Sequence, residues 1–287
     1  MKKILVQFDS DKYASVFDTI TAYDAGVDQV IQYCGIVPEE VRNLVYGAMF
    51  TRGGDALKNS SVFIGGSNVL RGEEIMKAVS ESFFGAVRVS VMMDTNGCNT
   101  TAVAAVRKIV SVGGLKGRKV VILGGTGPVG MRAAALMGGE GAQVFLSSRN
   151  LERSEKVCAA IKNRFDIEVT PVKVSNSEDL KAVLDSAYAV LTTGAAGITL
   201  LSAFIWQAHP DLVVLADINA VPPLGIENIK PHWDGKKIDG KTVFGALGIG
   251  GLKMKIHREC IARLFTQNDL QLDAKEIYNI AKGMDKK

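Results

Sequence analysis

The chain has 287 residues, with 34 lysines and arginines against 30 aspartates and glutamates, a formal charge of +4. That balance is too mild for a general nucleic-acid binder, whereas a phosphate-bearing small molecule needs only a few cations placed locally. Apolar residues make up 47% and charged residues 22%, which sets disorder aside and, at this length, gives room for two compact domains.

In chain order, the amino terminus MKKILVQFDSD carries lysines, but its apolar run is too short for a secretory core, and no stretch reaches the ~18 to 20 apolar residues of a membrane span. Cys34, Cys98, Cys158 and Cys260 form neither a CxxC pair nor a metal-ligand spacing, so buried or idle thiols are expected, with no metal. A reduced, soluble, cytoplasmic protein follows as the expectation.

Short β-branched runs alternate with segments of helical period. Strands are expected at Ile4 to Phe8, Val62 to Ile64, Val87 to Met92, Lys119 to Leu123, Gln143 to Leu146, Glu168 to Val174, Ala189 to Thr192, Leu212 to Ala216 and Thr242 to Ala246. Such alternation predicts parallel sheets built from right-handed crossovers, an α/β fold. The seam is expected near a helix from Thr100 to Val112. One domain then comprises residues 1–100 plus 252–287, and the other residues 101–251. Leu252 to Met284 reads as helical, without a sheet of its own, packing back on the first domain.

Between two of the strands lies Gly125-Thr126-Gly127-Pro128-Val129-Gly130, which fits GxGxxG. It follows a buried strand and opens an apolar helix, as a Rossmann-type dinucleotide turn requires. One glycine permits the turn, one admits a pyrophosphate, and one lets helix pack on strand. The next strand ends in Ser147-Ser148-Arg149, where an NAD-selective site usually has a carboxylate. Hydroxyls and a guanidinium donate to a 2′-phosphate that a carboxylate repels, and Arg153 lies one helical turn further on, so NADP is the expected cofactor. A solvated basic helix start is the plainer reading of the same residues.

Other strand ends carry further candidates. Asp94, Asn96, Asn99 and Thr101 surround a strand-to-helix junction, where ligands of open α/β sheets bind, although Asn99 or Thr100 also suits a helix cap. Thr193 and Gly194 in TTGAAG, with Asp217 and Asn219, are assigned to the nicotinamide side. If Leu252 to Phe265 is helical, Lys253, Ile256, His257, Cys260, Ile261 and Leu264 share the inward stripe. Lys253 then either projects into the site or snorkels from the end of a core stripe.

The segments GGTGPVGMRAAAL, DTNGCNTTA, SVFDTITAYDAG, FTRGG, NAVPPLGI and FGALGIGGLKMKIHR together resemble the NADP-dependent methylene-tetrahydromethanopterin dehydrogenases of one-carbon metabolism in methylotrophic bacteria, a family that also includes members acting on methylenetetrahydrofolate. The resemblance runs over nearly the whole chain. It implies hydride transfer from the methylene pterin to NADP, a Rossmann domain joined to a second α/β domain completed by C-terminal helices, and a homo-oligomer, with a trimer expected. The pterin substrate is then expected to meet Phe17, Asp18, Asp94, Asn96, Asn99, Thr101 and His257, with Lys253 catalytic.

For Asp18 the capping pattern Ser15-x-x-Asp18 offers a purely structural alternative. The chemistry itself needs no strong base, because hydride leaves a carbon whose neighbouring nitrogens stabilise the cation formed. Two other readings stand beside this one: a shikimate-dehydrogenase-like NADP oxidoreductase, whose catalytic Lys and Asp pair is not found in its own motif context here, and a non-catalytic NADP-binding sensor.

Overall fold

The computed structural model describes residues 1–284. By contact the chain divides into two compact units: Met1–Thr100 together with the chain from Met254 onward, and Thr101–Lys253.

The first unit begins with β1 (Ile4–Asp9), α1 (Val16–Asp24), β2 (Gln29–Cys34), α2 (Pro38–Phe50), β3 (Ser60–Ile64), α3 (Val69–Glu81) and β4 (Ser90–Met93), and α4 (Cys98–Val112) leads out of it. In the second unit the order is β5 (Lys119–Leu123), α5 (Pro128–Gly139), β6 (Gln143–Ser148), α6 (Leu151–Phe165), β7 (Thr170–Lys173), α7 (Ser177–Leu184), β8 (Ala189–Thr192), α8 (Ala203–Gln207), β9 (Val214–Asp217), β10 (Asp234–Ile238) and β11 (Lys241–Phe244). The long α9 (Ala246–Arg263) follows, then β12 (Gln271–Leu272) and α10 (Ala274–Met284).

The first unit is a five-stranded sheet in the order β12-β4-β3-β1-β2, with every pairing parallel. Its middle strands are buried on both faces, Phe8, Val62, Ile64, Val91 and Met92 being fully covered, as the apolar runs of parallel strands require. Two strands escape sequence reading. The edge strand β2 is largely exposed and is interrupted by Gln29 and Gln32, so it lacks an apolar signature. The other, β12, interrupts the segment expected to be helical from Leu252 to Met284: Gln271 and Leu272 join the first unit's sheet, running parallel to Val91 and Met92. Asn268 Nδ2 donates to the carbonyls of Ala86 and Arg88 at 3.1 and 3.0 Å, and Ser90 Oγ donates to the Gln267 carbonyl at 2.8 Å. These side-chain bonds dock the returning chain beside β4. The strand expected from Val87 starts at Ser90 instead, because Phe84 and Val87 exchange backbone hydrogen bonds in a tight turn.

The second unit is a seven-stranded sheet, β10-β11-β9-β8-β5-β6-β7. It is parallel except at its edge, where β10 runs antiparallel to β11. The sequence of β10, DGKKI, is hydrophilic because it forms that edge. Trp206 anchors one side of the core, fully buried with its indole N–H donating to the Glu227 carbonyl at 3.0 Å. Gly248, Gly250 and Gly251 of FGALGIGGLK lie inside α9, which opens at Ala246 rather than at Leu252. At Gly248 a Cβ would sit 2.3 Å from the Trp233 carbonyl oxygen, which explains a glycine there against helix propensity.

Strand order reverses once in each sheet. In the first unit the chain passes from β1 to β2 on one side and to β3 on the other; in the second it passes from β5 to β6 and later returns to β8. Ligands of open α/β sheets bind at such switch points, outside the carboxyl ends of the strands.

Candidate active site

In the second unit the switch point carries the glycine turn. β5 supplies Val120 to Leu123, all buried, and the chain reverses at Gly124, whose φ is +65°. The left-handed residue is thus Gly124, one position before the motif. Gly125 is required for packing, since a Cβ there would stand 2.8 Å from Leu146 Cγ. Gly130 lets α5 approach the turn: its Cβ would lie 2.3 Å from the Gly125 carbonyl oxygen. At Gly127 a Cβ would meet no atom within 4 Å. Pro128 opens α5 at a position that needs no N–H, and Val129 follows it.

Beside this turn is a cavity of about 570 Å³ that brings together Gly124, Thr126, Gly127, Ser147, Ser148, Arg149, Arg153, Thr193 and Gly194. Ser148 is half-buried, while Arg149 and Arg153 are exposed. Asn150 caps α6, its side-chain oxygen accepting from the Arg153 amide at 3.3 Å, and so fixes the helix that carries Arg153. Sequence reading missed the far wall, Val174, Ser175, Asn176, Ser177 and Leu180, with Ile198 and Ile205. Its signal was a Ser-Asn-Ser run just past β7, the strand that pairs with β6.

Asp217 and Asn219 do not line that cavity; they organise the loop after β9. The Asp217 carboxylate accepts from Thr192 Oγ1 at 2.7 Å, from the Asn219 amide at 2.9 Å and from the Ile226 amide at 3.2 Å. Burial pushes its pKa up, while these hydrogen bonds pull in the opposite direction. Asn219 Nδ2 donates to the Pro223 carbonyl at 3.2 Å, next to the cis Pro222-Pro223 peptide.

In the first unit the switch point lies between Asp9, at the end of β1, and Gly65, just past β3. Asp9 is fully buried and accepts from the amides of Asp11 and Ser15 at 2.9 and 3.0 Å. Ser15 caps α1, accepting from the Asp18 amide at 3.2 Å. Together these bonds hold the first turn of α1, where Phe17 is 48% exposed. Asp18 Oδ2 lies 3.1 Å from the place a Cβ on Gly65 would occupy.

His257 of α9 is fully buried, with Phe63 stacked on it at 5.5 Å between ring centroids and Phe17 tilted against it at 6.2 Å. Its Nδ1 is 3.7 Å from Asp94 Oδ2. Phe63 is a further residue that sequence reading missed, because it sits in an apolar strand that looks like core alone.

Asp94 is itself the cap of α4. It accepts from the amides of Asn99 and Thr100, each at 2.9 Å, and from the Thr100 hydroxyl at 2.5 Å. Asn99 is buried and bonds to the Met93 carbonyl and to Asp273, so the cap function expected of Asn99 or Thr100 belongs to Asp94. Asn96 is exposed with a left-handed φ of 52°, and Thr101 is half-buried. Lys253 is half-buried on α9, one turn before His257. Cys260 follows His257 by a turn; burial raises its thiol pKa and the Asp94 charge adds to that, so it stays protonated. Among the described residues no cluster of three or more His, Cys, Asp or Glu side chains could hold a metal, and no helix is long and apolar enough to cross a membrane.

The family profile "Methylene-tetrahydromethanopterin dehydrogenase, N-terminal" matches residues 16–96. The bifunctional protein MdtA of Methylorubrum extorquens is 45% identical over 285 residues, covering 99% of each chain. The chain belongs to the methylene-tetrahydromethanopterin dehydrogenase family. A second relative, the NAD(P)-dependent methylenetetrahydromethanopterin dehydrogenase of the same organism, is 31% identical with 98% of each chain covered. Among solved structures, a shikimate 5-dehydrogenase from Mycobacterium fortuitum superposes with a TM-score of 0.53 at 14% identity, over 98% of each chain; that likeness is one of fold. This methylene-tetrahydromethanopterin dehydrogenase family member is therefore an oxidoreductase on an α/β scaffold, and the matched profile covers the part of its first unit from α1 to the Asp94 junction.

Proposed function

We propose that the chain oxidises methylene-tetrahydromethanopterin to its methenyl form with NADP, and that methylenetetrahydrofolate is its second substrate. The observation that carries the cofactor half is the cavity in which the open glycine turn meets Ser148, Arg149 and Arg153. That donor set fits NADP: amides and an unfilled Gly127 for the pyrophosphate, and a hydroxyl with two guanidiniums for the 2′-phosphate. When bound, NADP supplies a nicotinamide ring that accepts a hydride. A wall of Val174, Leu180, Ile198 and Ile205 offers apolar contact beside the polar Ser175 to Ser177 run.

The pterin half rests on the first unit. Phe17 presents an exposed ring beside His257 and Phe63, a flat apolar surface for a planar heterocycle. Asp18 beside Gly65 gives a carboxylate for an amino-pyrimidinone edge. The methylene carbon gives up hydrogen with its two bonding electrons and becomes cationic between its two nitrogens. The carboxylates of Asp9, Asp18 and Asp94 suit that change of charge. Lys253 holds a carbonyl or ring nitrogen of the pterin, and Asn96 and Thr101 lie at the same strand-to-helix junction as Asp94. No proton has to be removed at the reacting carbon, which agrees with a site built for orientation rather than strong base catalysis.

A cytoplasmic homo-oligomer, a trimer, completes the reading. Supporting association, Tyr46, Phe50 and Phe84 form a cluster with centroids 5.4 to 6.1 Å apart in which Phe50 and Phe84 are more than half exposed. Light scattering on the purified protein tests the assembly. The cofactor assignment is tested by Arg149→Ala: the KM for NADP should rise about 10- to 100-fold, the loss of a charge-assisted bond, while that for NAD stays level. An equal rise for both nucleotides would remove the 2′-phosphate from this pocket.

A further inference from the structure

One residue in the second unit is gripped from both sides. Gly124 stands at the end of β5, between the ends of β6 and β8. Its N–H donates to Ser147 Oγ at 3.1 Å, and its carbonyl accepts from Thr193 Oγ1 at 3.3 Å. Backbone bonds run alongside: Gly125 N–H to the Ser147 carbonyl at 3.1 Å, and Thr193 N–H to the Leu123 carbonyl at 2.9 Å. Ser147 is 3% exposed and Thr193 9%, so both side chains face the turn far more than the cavity.

A left-handed glycine is the most mobile link of such a turn, because nothing of its own side chain restrains it. Packing adds a second restraint here. A Cβ on Gly124 would stand 2.8 Å from Gly194 Cα, so the loops after β5 and β8 touch backbone to backbone. Whatever orients Gly124 orients the amides that follow, from Gly125 to the start of α5.

We propose that Ser147 and Thr193 are positioning residues that clamp the two peptides flanking the Gly124 Cα and preset the glycine turn, rather than groups that contact the nucleotide. Choice between NADP and NAD then falls to Ser148, Arg149 and Arg153, which are more exposed and lie beyond the clamp. The inference rests on the reading of this cavity as the nucleotide site. It moves Ser147 out of the phosphate-binding set in which its neighbours place it by sequence. The shared turn is common to both nucleotides, so the clamp is blind to the 2′-phosphate.

The test is titration calorimetry with NADP and with NAD on the full chain carrying Ser147→Ala, Thr193→Val, Thr193→Ser or Arg149→Ala, with thermal melting as a check on folding. Ser147→Ala and Thr193→Val should each weaken both nucleotides by the same factor, about 3- to 10-fold, as one neutral hydrogen bond carries. Thr193→Ser keeps the hydroxyl and should restore wild-type affinity, which a merely space-filling role of Thr193 does not predict. The Ser147→Ala/Thr193→Val double variant should lose less than the product of the two, since both restrain the backbone of one residue, Gly124. Arg149→Ala should weaken NADP alone. Selective loss of NADP in Ser147→Ala, at least about 10-fold more than of NAD, overturns the proposal and makes Ser147 a phosphate ligand. Unchanged affinities in both single variants overturn it too. If the unaltered chain binds neither nucleotide, the cavity reading fails first, and that outcome is seen before any variant is made.

Discussion

Asp217 shows how a carboxylate can be buried for architecture. Hydrogen-bond donors from Thr192, Asn219, Gly225 and Ile226 surround it at the end of β9, yet burial is the larger influence and raises its pKa above the ordinary aspartate value of 3.8. The folded chain therefore binds this proton more tightly than the unfolded chain, and stability falls as pH rises from 3.8 through the raised value. Urea unfolding of the unaltered chain and of Asp217→Asn across that range should show their stability difference shrinking as pH rises. A difference that grows would mean that the hydrogen bonds win over desolvation. Lys253 makes a different prediction, because the role proposed for it is electrostatic and lies in the pterin step. Lys253→Met should lower kcat at least about 100-fold with little change in NADPH affinity; equal losses would return it to the end of a core stripe. At this scale the sequence could name the residue types, since GxGxxG, Ser148-Arg149 and Phe17-Asp18 are local patterns. It could not show that Ser147 turns toward Gly124 or that Asp94 rather than Asn99 caps α4, because both follow from strand ends meeting across the sheet.

Elements tell the same story with larger energies. Gly130 fixes the approach of α5 to the turn, and a methyl group would collide with the Gly125 carbonyl oxygen at 2.3 Å. Gly130→Ala should therefore both lower the melting temperature and weaken nucleotide binding, measured together by calorimetry. A variant that melts as the unaltered chain does would show that α5 tilts without cost. In the first unit, Leu272 of β12 is 1% exposed. Truncation to alanine should cost about 2 to 5 kcal/mol in urea unfolding, the range for a large buried aliphatic side chain. A loss under about 1 kcal/mol would make β12 an ornament of the sheet edge rather than part of its core. Most strands legible in the sequence were buried on both faces, such as Lys119–Leu123 and Ala189–Thr192, the edge strand β7 being the exception. Those that escaped, β2, β10 and β12, are at sheet edges, where half the surface is polar and no apolar run survives. The early start of α9 was hidden by three glycines of low helix propensity, of which Gly248 is required by the close approach of the Trp233 carbonyl.

For the whole molecule, two open α/β sheets each bring their switch point to a loop rich in glycine and polar side chains: Gly124 to Gly130 in one unit, Asp9 to Asp18 with Gly65 in the other. That arrangement follows from the alternation of strand and helix and was visible in the sequence as a pattern. The far wall of the nucleotide cavity was not, since Ser175 to Ser177 become neighbours of Ser148 only because β7 pairs with β6. Whole-length likeness to methylene-tetrahydromethanopterin dehydrogenases names the reaction, and the donor set beside the glycine turn is the ground for proposing NADP. Both are tested by one assay: absorbance at 340 nm with purified protein, methylene-tetrahydromethanopterin or methylenetetrahydrofolate, and NADP or NAD in parallel. A steady rise with the methanopterin substrate and NADP, much weaker with NAD, is the predicted result. No rise with either pterin, from protein that still binds NADPH, would contradict it.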